Sequence, residues 1–402
     1  MRIGIIGSGV VGLTLAYEIT NHNPTYEINI FEKEDNSIRH GTGRNSGVIH
    51  SGIYYTPNSL RSKLCIEGSR LMKKFIQDHN LYLNPCGKLL LPRYLNDLES
   101  LDFLFERSKE VGVHAIKLNS KEEILKIEPN CNPKFDQALF IKDTAIGDPK
   151  EVTAKLLELL KKRNFSILYH HEVSKVVSSK GALYVKDTLF EFDLVINAAG
   201  LYADQIAKIS NLKTNYSSLP FKGKYWSVKT DNPSELPKTL LYPVPNLAHP
   251  FVGIHTVYDK SGNFYLGPSS TPVFGKEAYK PFQKFKLIEF VTLVLKFFSK
   301  IIKNENKLRN LAVSELRNLF LSHIKKSTKV YFKNSLELML SESEKVGIRS
   351  QIFDNKSKTL FNDFVVIKQN KTVHILNAIS PAWTSSFAMA KYINSNFIKS
   401  HT

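Results

Sequence analysis

Residues 43–55, GRNSGVIHSGIYY, combine flexible backbone with side chains that transfer protons or bind anions. Arg44 is a permanent cation, and the imidazole of His50 titrates near neutral pH. Tyr54 and Tyr55 add hydroxyl groups to large apolar rings. Because the intervening glycines allow close approach of the backbone, the stretch predicts a segment that runs along a bound ligand.

The N-terminus predicts an element that would hold such a ligand, a βαβ unit. RIGIIG is typical of a strand, GVVGLTLAYEITNH of a helix and YEINIFEKE of a second strand. Gly7, Gly9 and Gly12 form a GxGxxG turn, and Glu32 follows twenty residues after Gly12. Such glycines permit a tight turn and close approach to a pyrophosphate, while the acid accepts ribose hydroxyls. The pattern predicts a dinucleotide site, the alternative being a glycine turn beside a surface glutamate.

A second small-residue turn, NAAG at 197–200, follows the apolar strand FDLVI. In isolation it also fits an ordinary strand-to-helix turn. Together with the N-terminal unit, the order of a dinucleotide turn, a long interruption and NAAG resembles the flavoproteins built like D-amino-acid oxidase. The resemblance implies FAD as the cofactor.

Longer motifs narrow the resemblance to one family. GRNSGVIHSGIYYTPNSLRSKLCIEG, NAAGLYAD, PFKGKYW, LYPVPN with PFVGIHTV, YLGPSS, VGIRSQ and NAISPAWTSS are similar, in order and spacing, to L-2-hydroxyglutarate dehydrogenases/oxidases over nearly the whole chain. Two features depart from that family. Gly41 and Arg44 stand where members commonly have glutamine and histidine, and Trp383 lies in a late turn that usually contains small residues.

The resemblance implies an α/β fold of two domains, which suits a chain of 402 residues. A discontinuous, Rossmann-like FAD-binding domain is expected over residues 1–85, 145–215 and 340–402. An α+β substrate domain, a mixed sheet plus helices, is expected over 86–144 and 216–339.

The family also implies a reaction, oxidation of a small anionic L-2-hydroxy acid, foremost L-2-hydroxyglutarate, to the 2-oxo acid. Hydride passes to the flavin, a base removes the hydroxyl proton, and oxygen or a quinone accepts the electrons. His50 and His255 are the candidate bases, the alternative for each being a hydrogen-bonded core or surface histidine.

Arg349 is the candidate for binding the substrate carboxylate, because Gly347-Ile348-Arg349 resembles the arginine element of amino-acid oxidases and guanidinium binds carboxylate through two parallel hydrogen bonds. A surface or interdomain arginine is the alternative. A dicarboxylate requires a second cation, for which the sequence leaves open Arg44, Lys222 and Lys224. Three tyrosines are expected either to line the pocket or to pack in the core: Tyr54, Tyr55 and Tyr225.

The predicted cofactor contacts come from the two glycine-containing turns, from residues 43–55, which we call the histidine segment, from one strand and from the N-terminus of a C-terminal helix. Val173 is similar to the strand position that meets adenine, and the helix within VHILNAISPAWTSSFAMAKYI would direct N–H groups at the flavin. Trp383 either lies near the flavin or points away. The set is Gly7, Gly9, Val10, Val11, Gly12, Glu32, Lys33, Arg44, Asn45, Ser46, Gly47, Val173, Ala198, Ala199, Gly200, Pro381, Ala382, Trp383, Thr384 and Ser385.

Two other functions share most of these features. A flavin-dependent amino-acid or amine oxidase would have the same fold, FAD turns and carboxylate arginine. A flavin-binding protein without catalysis is the second alternative, for which Arg44 and Trp383 are the relevant departures.

The net charge of +18 favours anionic partners, but no nucleic-acid-binding motif accompanies the scattered lysines, so nucleic acid is not expected. The three cysteines have no zinc spacing, and no metal is expected. The first residues lack a signal-peptide pattern, which predicts a cytoplasmic protein.

FKLIEFVTLVLKFFSKIIK, at 285–303, predicts a basic amphipathic helix. The helix is expected either to pack on its own domain or to attach to the inner face of an anionic membrane. The expected apolar side is Leu287, Phe290, Val291, Val294, Phe298 and Ile301. The expected polar side is Glu289, Lys296, Lys300 and Lys303.

Overall fold

The structure is a computed structural model that describes residues 1–246, 251–280, 283–305, 308–333 and 337–398. Within these ranges, no helix has both the length and the apolar character needed to cross a bilayer.

Strands and helices alternate through the first half of the chain. The strands are β1 Arg2–Ile6, β2 Glu27–Phe31, β3 Val48–Ile49, β4 Leu83–Asn84, β5 Lys88–Leu91, β6 Ala115–Leu118, β7 Ala138–Ile141, β8 Ala145–Gly147, β9 Phe165–Leu168, β10 Val173–Val177, β11 Ala182–Val185, β12 Thr188–Glu191, β13 Leu194–Asn197, β14 Tyr216–Lys229, β15 Leu240–Pro243, β16 His255–Tyr258, β17 Phe264–Gly267, β18 Thr271–Pro272, β19 Met339–Asp354, β20 Thr359–Leu360, β21 Val365–Gln369 and β22 Thr372–Leu376. The helices are α1 Val10–His22, α2 Leu60–Asp78, α3 Asp97–Glu110, α4 Lys121–Ile127, α5 Pro149–Leu160, α6 Ala203–Ile209, α7 Leu287–Ile302, α8 Leu308–Arg317, α9 Leu321–Ser327 and α10 Ala382–Ile393.

The first sheet has the strand order β21-β22-β13-β1-β2-β9, and all its neighbours are parallel except β21 and β22. Its strands are apolar because helices cover them: α1, α2, α5 and α10 contribute to one hydrophobic core with β1, β2, β13 and β22. Since β1 lies beside β13, the turns that follow these strands meet at the carboxyl edge of the sheet, where α/β proteins bind ligands.

A second sheet is built around the long antiparallel pair β14 and β19, with the order β16-β17-β14-β19-β20 and β18 also paired with β14. The register places Phe221 opposite Arg349 and Gly223 opposite Gly347. A further sheet, β15-β5-β7-β6, carries Lys88 on β5 and Tyr242 on β15. Two small sheets, β10-β11-β12 and β3-β8-β4, complete the strand pairing of the described residues.

Helix α7 forms as the sequence predicts, but its orientation differs from the expected one. Lys300, assigned to the solvent side, is only 9% exposed, and its ammonium contacts Glu305 and lies 3.4 Å from the ring centroid of Phe353. The buried side also includes Leu293 and Phe297. The lysine turns inward because the protein supplies both a carboxylate and an aromatic face.

The outward side of α7 is apolar. Ile288 is 84% exposed, and Leu295, Phe298 and Ile302 are each more than 60% exposed. With Val291, they recur at helical spacing and form one stripe, which we call the α7 stripe.

Candidate active site

A cavity of about 840 Å³ runs from the carboxyl edge of the first sheet to the second sheet. This volume lies at the upper end of the range for ligand sites. Most predicted site residues line it: Gly7, Gly9, Val10, Val11, Glu32, Lys33, Arg44, Asn45, Ser46, His50, Tyr54, Tyr55, Val173, Ala198, Ala199, Gly200, Tyr225, His255, Arg349, Pro381, Ala382 and Trp383. The predicted residues outside the lining are Gly12, Gly47, Lys222, Lys224, Thr384 and Ser385.

The turn between β1 and α1 has the backbone that a dinucleotide requires. Gly7 has φ +105, and a Cβ there would lie 2.6 Å from the carbonyl oxygen of Ala198. A Cβ on Gly12 would lie 2.0 Å from the carbonyl oxygen of Gly7, so Gly12 permits close packing of helix and turn without lining the cavity. Gly9, Val10 and Val11 line the cavity, so the N-terminus of α1 faces it, and the Val10 N–H donates to the Thr42 hydroxyl at 2.9 Å.

Glu32 ends up beside this turn, as its spacing predicts. Its carboxylate accepts hydrogen bonds from the Ser8 backbone N–H at 3.0 Å and from the Ser8 hydroxyl at 2.9 Å. Because a carboxylate has further lone pairs and Glu32 lines the cavity, the residue fits the role of accepting ribose hydroxyls. The chain therefore fits FAD at this end.

Lys33 lines the same end, but its ammonium is already paired with Glu34 and Glu277. His40 and Lys284 contact these two carboxylates as well. We call these five residues the cofactor-end ion-pair network.

Glu34, His40 and Glu277 are also the group of described residues whose ligand atoms, all within 4.8 Å, could hold a metal ion. Two lysine ammoniums already compensate the charge of its carboxylates, however. Burial would raise the pKa of Glu34, but hydrogen bonds from Lys33 and His40 lower it to about 2. The arrangement is an ion-pair network whose charges balance without a metal.

Residues 43–55 run along the N-terminus of α10. The Gly47 carbonyl accepts a hydrogen bond from the Trp383 indole at 3.3 Å, and the His50 backbone N–H donates to the Thr384 hydroxyl at 3.0 Å. Gly47 has φ +77, and a Cβ there would lie 2.4 Å from the carbonyl oxygen of Gly147, so glycine is required at this position.

The first residues of α10, Pro381, Ala382 and Trp383, line the cavity. Trp383 thus lies at the site and ties α10 to the histidine segment through its indole N–H. Thr384 and Ser385 are fully buried and do not line the cavity, so their predicted contacts with the cofactor stay predictions. The N-cap residue makes no side-chain hydrogen bond, and the helix dipole is directed at the cavity.

Both predicted histidines line the opposite end of the cavity. The Nδ1 of His255 lies 2.8 Å from the Gly253 carbonyl oxygen, which can only accept, so Nδ1 carries the proton and Nε2 keeps a lone pair. The Nδ1 of His50 is buried and has no hydrogen-bond partner among the described residues. Burial, together with the charge of Lys88, lowers the pKa of each imidazole to about 3, so both are neutral at physiological pH.

Arg349 lines the cavity from β19, and Gly223, which pairs with Gly347, lines it from the neighbouring strand β14. A Cβ on Gly223 would lie 3.4 Å from Arg349 Nη2, so the glycine leaves space beside the guanidinium. The guanidinium also lies 5.0 Å from the Phe251 ring centroid. Burial lowers the pKa of Arg349, and the charge of Glu315 opposes that shift.

The three candidates for a second substrate cation are all engaged elsewhere. Arg44 lines the cavity, but its guanidinium stacks on Tyr279 at 3.9 Å and donates to the Arg39 carbonyl. Lys222 donates to the Ala278 carbonyl, and Lys224 pairs with Glu342 at 3.1 Å outside the cavity. The positions of Lys222 and Lys224 therefore argue against substrate contact, because strand pairing directs them away from the lining.

The structure adds four residues to the substrate end that sequence reasoning did not single out: Arg61, Lys88, Arg107 and Tyr242. Arg61, Arg107 and Tyr242 line the cavity, while Lys88 lies just behind it against tyrosine rings. Arg61 donates to the Asn362 carbonyl at 2.9 Å. Two sequence features could have indicated these residues. Arg61 lies within the motif that begins GRNSGVIHSGIYY, and Lys88 is a charged residue directly before the apolar run LLL.

Comparison with known proteins relates the chain to flavoenzymes. The family described as FAD dependent oxidoreductase (DAO) matches residues 2–395. The mitochondrial L-2-hydroxyglutarate dehydrogenase of Bos taurus is 33% identical over 413 residues, which cover 97% of this chain and 87% of that protein. The L-2-hydroxyglutarate dehydrogenase of Indibacter alkaliphilus is 31% identical over 398 residues, which cover 96% of each chain.

Solved structures share the architecture. L-alpha-glycerophosphate oxidase from Mycoplasma pneumoniae, solved with FAD bound, matches with a TM-score of 0.71 and 22% identity over 97% of this chain and 92% of that one. L-proline dehydrogenase from P. horikoshii matches with a TM-score of 0.71 and 15% identity, covering 99% of this chain and 93% of that one. At these identities the likeness establishes the fold, and the predicted α/β class is confirmed.

Proposed function

This chain belongs to the FAD-dependent oxidoreductase family, together with the L-2-hydroxyglutarate dehydrogenases, and from that membership we propose that it oxidises L-2-hydroxyglutarate to 2-oxoglutarate. The prediction of an FAD-dependent enzyme acting on a CH–OH donor is thereby confirmed at the level of the family. The observation that carries the substrate proposal is the cavity itself, which joins a dinucleotide-binding turn to two neutral imidazoles and the guanidinium of Arg349.

FAD, when bound, supplies the hydride acceptor. The residues of the chain supply orientation and proton transfer. Arg349 holds the carboxylate next to the reacting carbon through paired N–H donors. The hydroxyl proton passes to one of the two imidazoles, His50 or His255, which can accept it because both are neutral.

The test is anaerobic reduction of the purified holoenzyme. L-2-Hydroxyglutarate is expected to bleach the flavin absorbance and to yield one 2-oxoglutarate per flavin, and the D enantiomer serves as the matched control. Reduction by an amino acid or amine instead would overturn the proposal in favour of an amine oxidase. If no acid or amine reduces a fully FAD-loaded protein, the alternative of a flavin-binding protein without catalysis gains support.

We propose further that the α7 stripe docks on an anionic membrane at its inner, cytoplasmic face and that a membrane quinone accepts the electrons. Its exposed apolar residues form one face, and exposed lysines such as Lys286 and Lys303 flank it. The net charge of +18 complements anionic lipid. This orientation differs from the expected one because Lys300 pairs inside the protein, so the stripe itself would insert.

Co-sedimentation with phosphatidylglycerol-containing vesicles tests the membrane proposal. The triple substitution Leu295→Ser, Phe298→Ser and Ile302→Ser is expected to lower binding at least tenfold. Leu189→Ser, on an exposed β12 residue, is the matched control and should bind normally. Binding that is insensitive to the triple substitution, or turnover with oxygen alone and not with vesicle-embedded quinone, would contradict the proposal.

A further inference from the structure

Two cations meet at Tyr54, which lines the cavity beside the histidine segment. The Lys88 ammonium lies 4.2 Å from the centroid of the Tyr54 ring. The Arg107 guanidinium donates to the Tyr54 backbone carbonyl at 3.2 Å. We call this part of the cavity the Tyr54 end.

Lys88 is fully buried, and its ammonium has no hydrogen-bond partner among the described residues. Besides Tyr54, it faces the Tyr242 ring at 5.2 Å, and the Tyr242 ring stacks on His255 with centroids 3.8 Å apart. An isolated buried charge is costly, so a bound anion would stabilise an ammonium that has no hydrogen-bond partner among the described residues.

Arg107 lines the cavity from α3, and its bond to the Tyr54 carbonyl uses one of the five N–H donors of a guanidinium. Its guanidinium stacks on Phe103 at 4.4 Å, and burial lowers its pKa, with Glu110 opposing the shift. Glu110 lies one turn further on the same helix, and its charge acts on Arg107 from there.

The two histidines are within electrostatic reach of both cationic regions. The charge of Lys88 acts on His50 and His255, and the charge of Arg349 acts on His255. A substrate with its reacting carbon at the histidines and one carboxylate on Arg349 would extend its other end towards further positive charge.

We propose that the Tyr54 end is the subsite for the second carboxylate of a dicarboxylate substrate, with Arg107 as its hydrogen-bonding contact and Lys88 as a buried positive charge behind it. The inference rests on the proposed function and deepens it. It replaces Arg44, Lys222 and Lys224 as the source of the second cation. Arg107 is the contact that determines specificity for a dicarboxylate. Lys88 is a positioning residue, which acts on the bound carboxylate through its electrostatic field and through the tyrosine rings that it contacts.

Binding of acids that lack the oxidisable 2-hydroxyl group tests the subsite in the holoenzyme independently of turnover. Glutarate and butyrate are titrated while the flavin absorbance is followed, with wild type, Arg107→Leu and Lys88→Met. The dissociation constant for glutarate is expected to rise about 10- to 100-fold in Arg107→Leu, the range for loss of a charge-assisted hydrogen bond. The constant for butyrate should change less than about threefold. Lys88→Met should show the same selectivity with a smaller change.

Lys224→Gln is the matched control, because that lysine pairs with Glu342 outside the cavity, and it should bind both acids normally. Equal weakening for both acids, or no weakening, in Arg107→Leu overturns the subsite. If Lys88→Met does not fold, Arg107→Leu and Arg107→Lys still decide, with Lys expected to restore part of the glutarate affinity. Wild type that binds glutarate selectively but is not reduced by L-2-hydroxyglutarate would reject the proposed function and keep the subsite.

Discussion

The two ends of the cavity differ in how their charges are compensated. At the cofactor end, Lys33 contacts the carboxylates of Glu34 and Glu277. At the substrate end, the Arg349 guanidinium lies 5.0 Å from the Phe251 ring centroid, and the Lys88 ammonium lies against the rings of Tyr54 and Tyr242. A dinucleotide phosphate is held by backbone N–H groups at a glycine turn, whereas a small dianion needs side-chain cations. The unbalanced positive charge therefore marks the end that receives the substrate.

The largest effects on the rate are expected from substitution of the histidines, because one of them accepts the hydroxyl proton of the substrate. Replacing the base, His50→Gln or His255→Gln, should slow anaerobic flavin reduction by about 10²- to 10⁴-fold, the usual contribution of a general base. Substitution of the histidine that is not the base should mainly change KM. His79→Gln, on a residue at the end of α2, is the control.

The same pair predicts a pH profile. Burial and the charge of Lys88 lower both imidazole pKa values to about 3, so the neutral, active form predominates well below pH 6. The kcat/KM for the free enzyme should show no histidine limb near pH 6.5. A limb at that pH would contradict the neutral-imidazole arrangement, and its loss in only one glutamine variant would identify that histidine as the base.

The next effect concerns the carboxylate beside the reacting carbon. Arg349→Met should lower kcat/KM about 10²- to 10³-fold for L-2-hydroxyglutarate and L-2-hydroxybutyrate alike, because both have this carboxylate. Arg107→Leu should discriminate between the two acids. If Arg349→Met spares the monocarboxylate, the assignment of the two cations to the two carboxylates is reversed.

A further prediction compares two buried lysines, Lys88 at the substrate end and Lys300 on the inward side of α7. Burial lowers the pKa of Lys88 to about 7. Because the unfolded chain then binds more protons between about pH 7 and 10.5, the free energy of unfolding should rise with pH in that window. Below about pH 7, Lys88 is charged in both the folded and the unfolded chain, so burial of the charge lowers the free energy of unfolding by its full amount.

Lys88→Met removes this cost and should stabilise the protein at pH 7 by about 2–4 kcal/mol while weakening dicarboxylate binding. Lys300→Met should instead destabilise by about 1 kcal/mol, since it leaves Glu305 unpaired. Urea unfolding of the holo forms at pH 7 and 9 measures both. A Lys88→Met protein less stable than wild type would indicate a structural lysine rather than one retained for an anion.

The local sequence was sufficient to predict site residues where these residues lie within one continuous segment of the chain. The turn with Gly7, Gly9 and Gly12, and Glu32 after it, could be predicted because their spacing is set by one βαβ unit. His50 and His255 could be named from their motifs, although only the tertiary structure brings them to one end of a cavity.

The rest depends on packing between distant segments. Nothing near Lys88 in the sequence indicates that Tyr54 and Tyr242 lie against it. Lys224 was a candidate for the second cation and Arg107 was not, because only strand pairing shows that Lys224 lies beside Glu342. The side of α7 that faces inward was likewise decided by Glu305 and Phe353, which the helical period does not reveal.

The smallest effect is expected at the compensated end of the cavity. Lys33 was predicted as a cofactor contact, but its ammonium belongs to the cofactor-end ion-pair network, in which Lys284 also contacts Glu277 at 2.7 Å. In Lys33→Gln, Lys284 still contacts both carboxylates, although one negative charge is no longer compensated. Because the Lys33 ammonium is engaged with these carboxylates, the dissociation constant for FAD should change less than about threefold, as expected for loss of partly exposed ion pairs. Titration of apoprotein with FAD, followed by flavin fluorescence, measures it, with Lys33→Gln/Glu277→Gln as the charge-matched control. A loss beyond tenfold in Lys33→Gln that the double variant does not restore would mean that Lys33 binds the cofactor directly, and the contrast between the two ends would then fail.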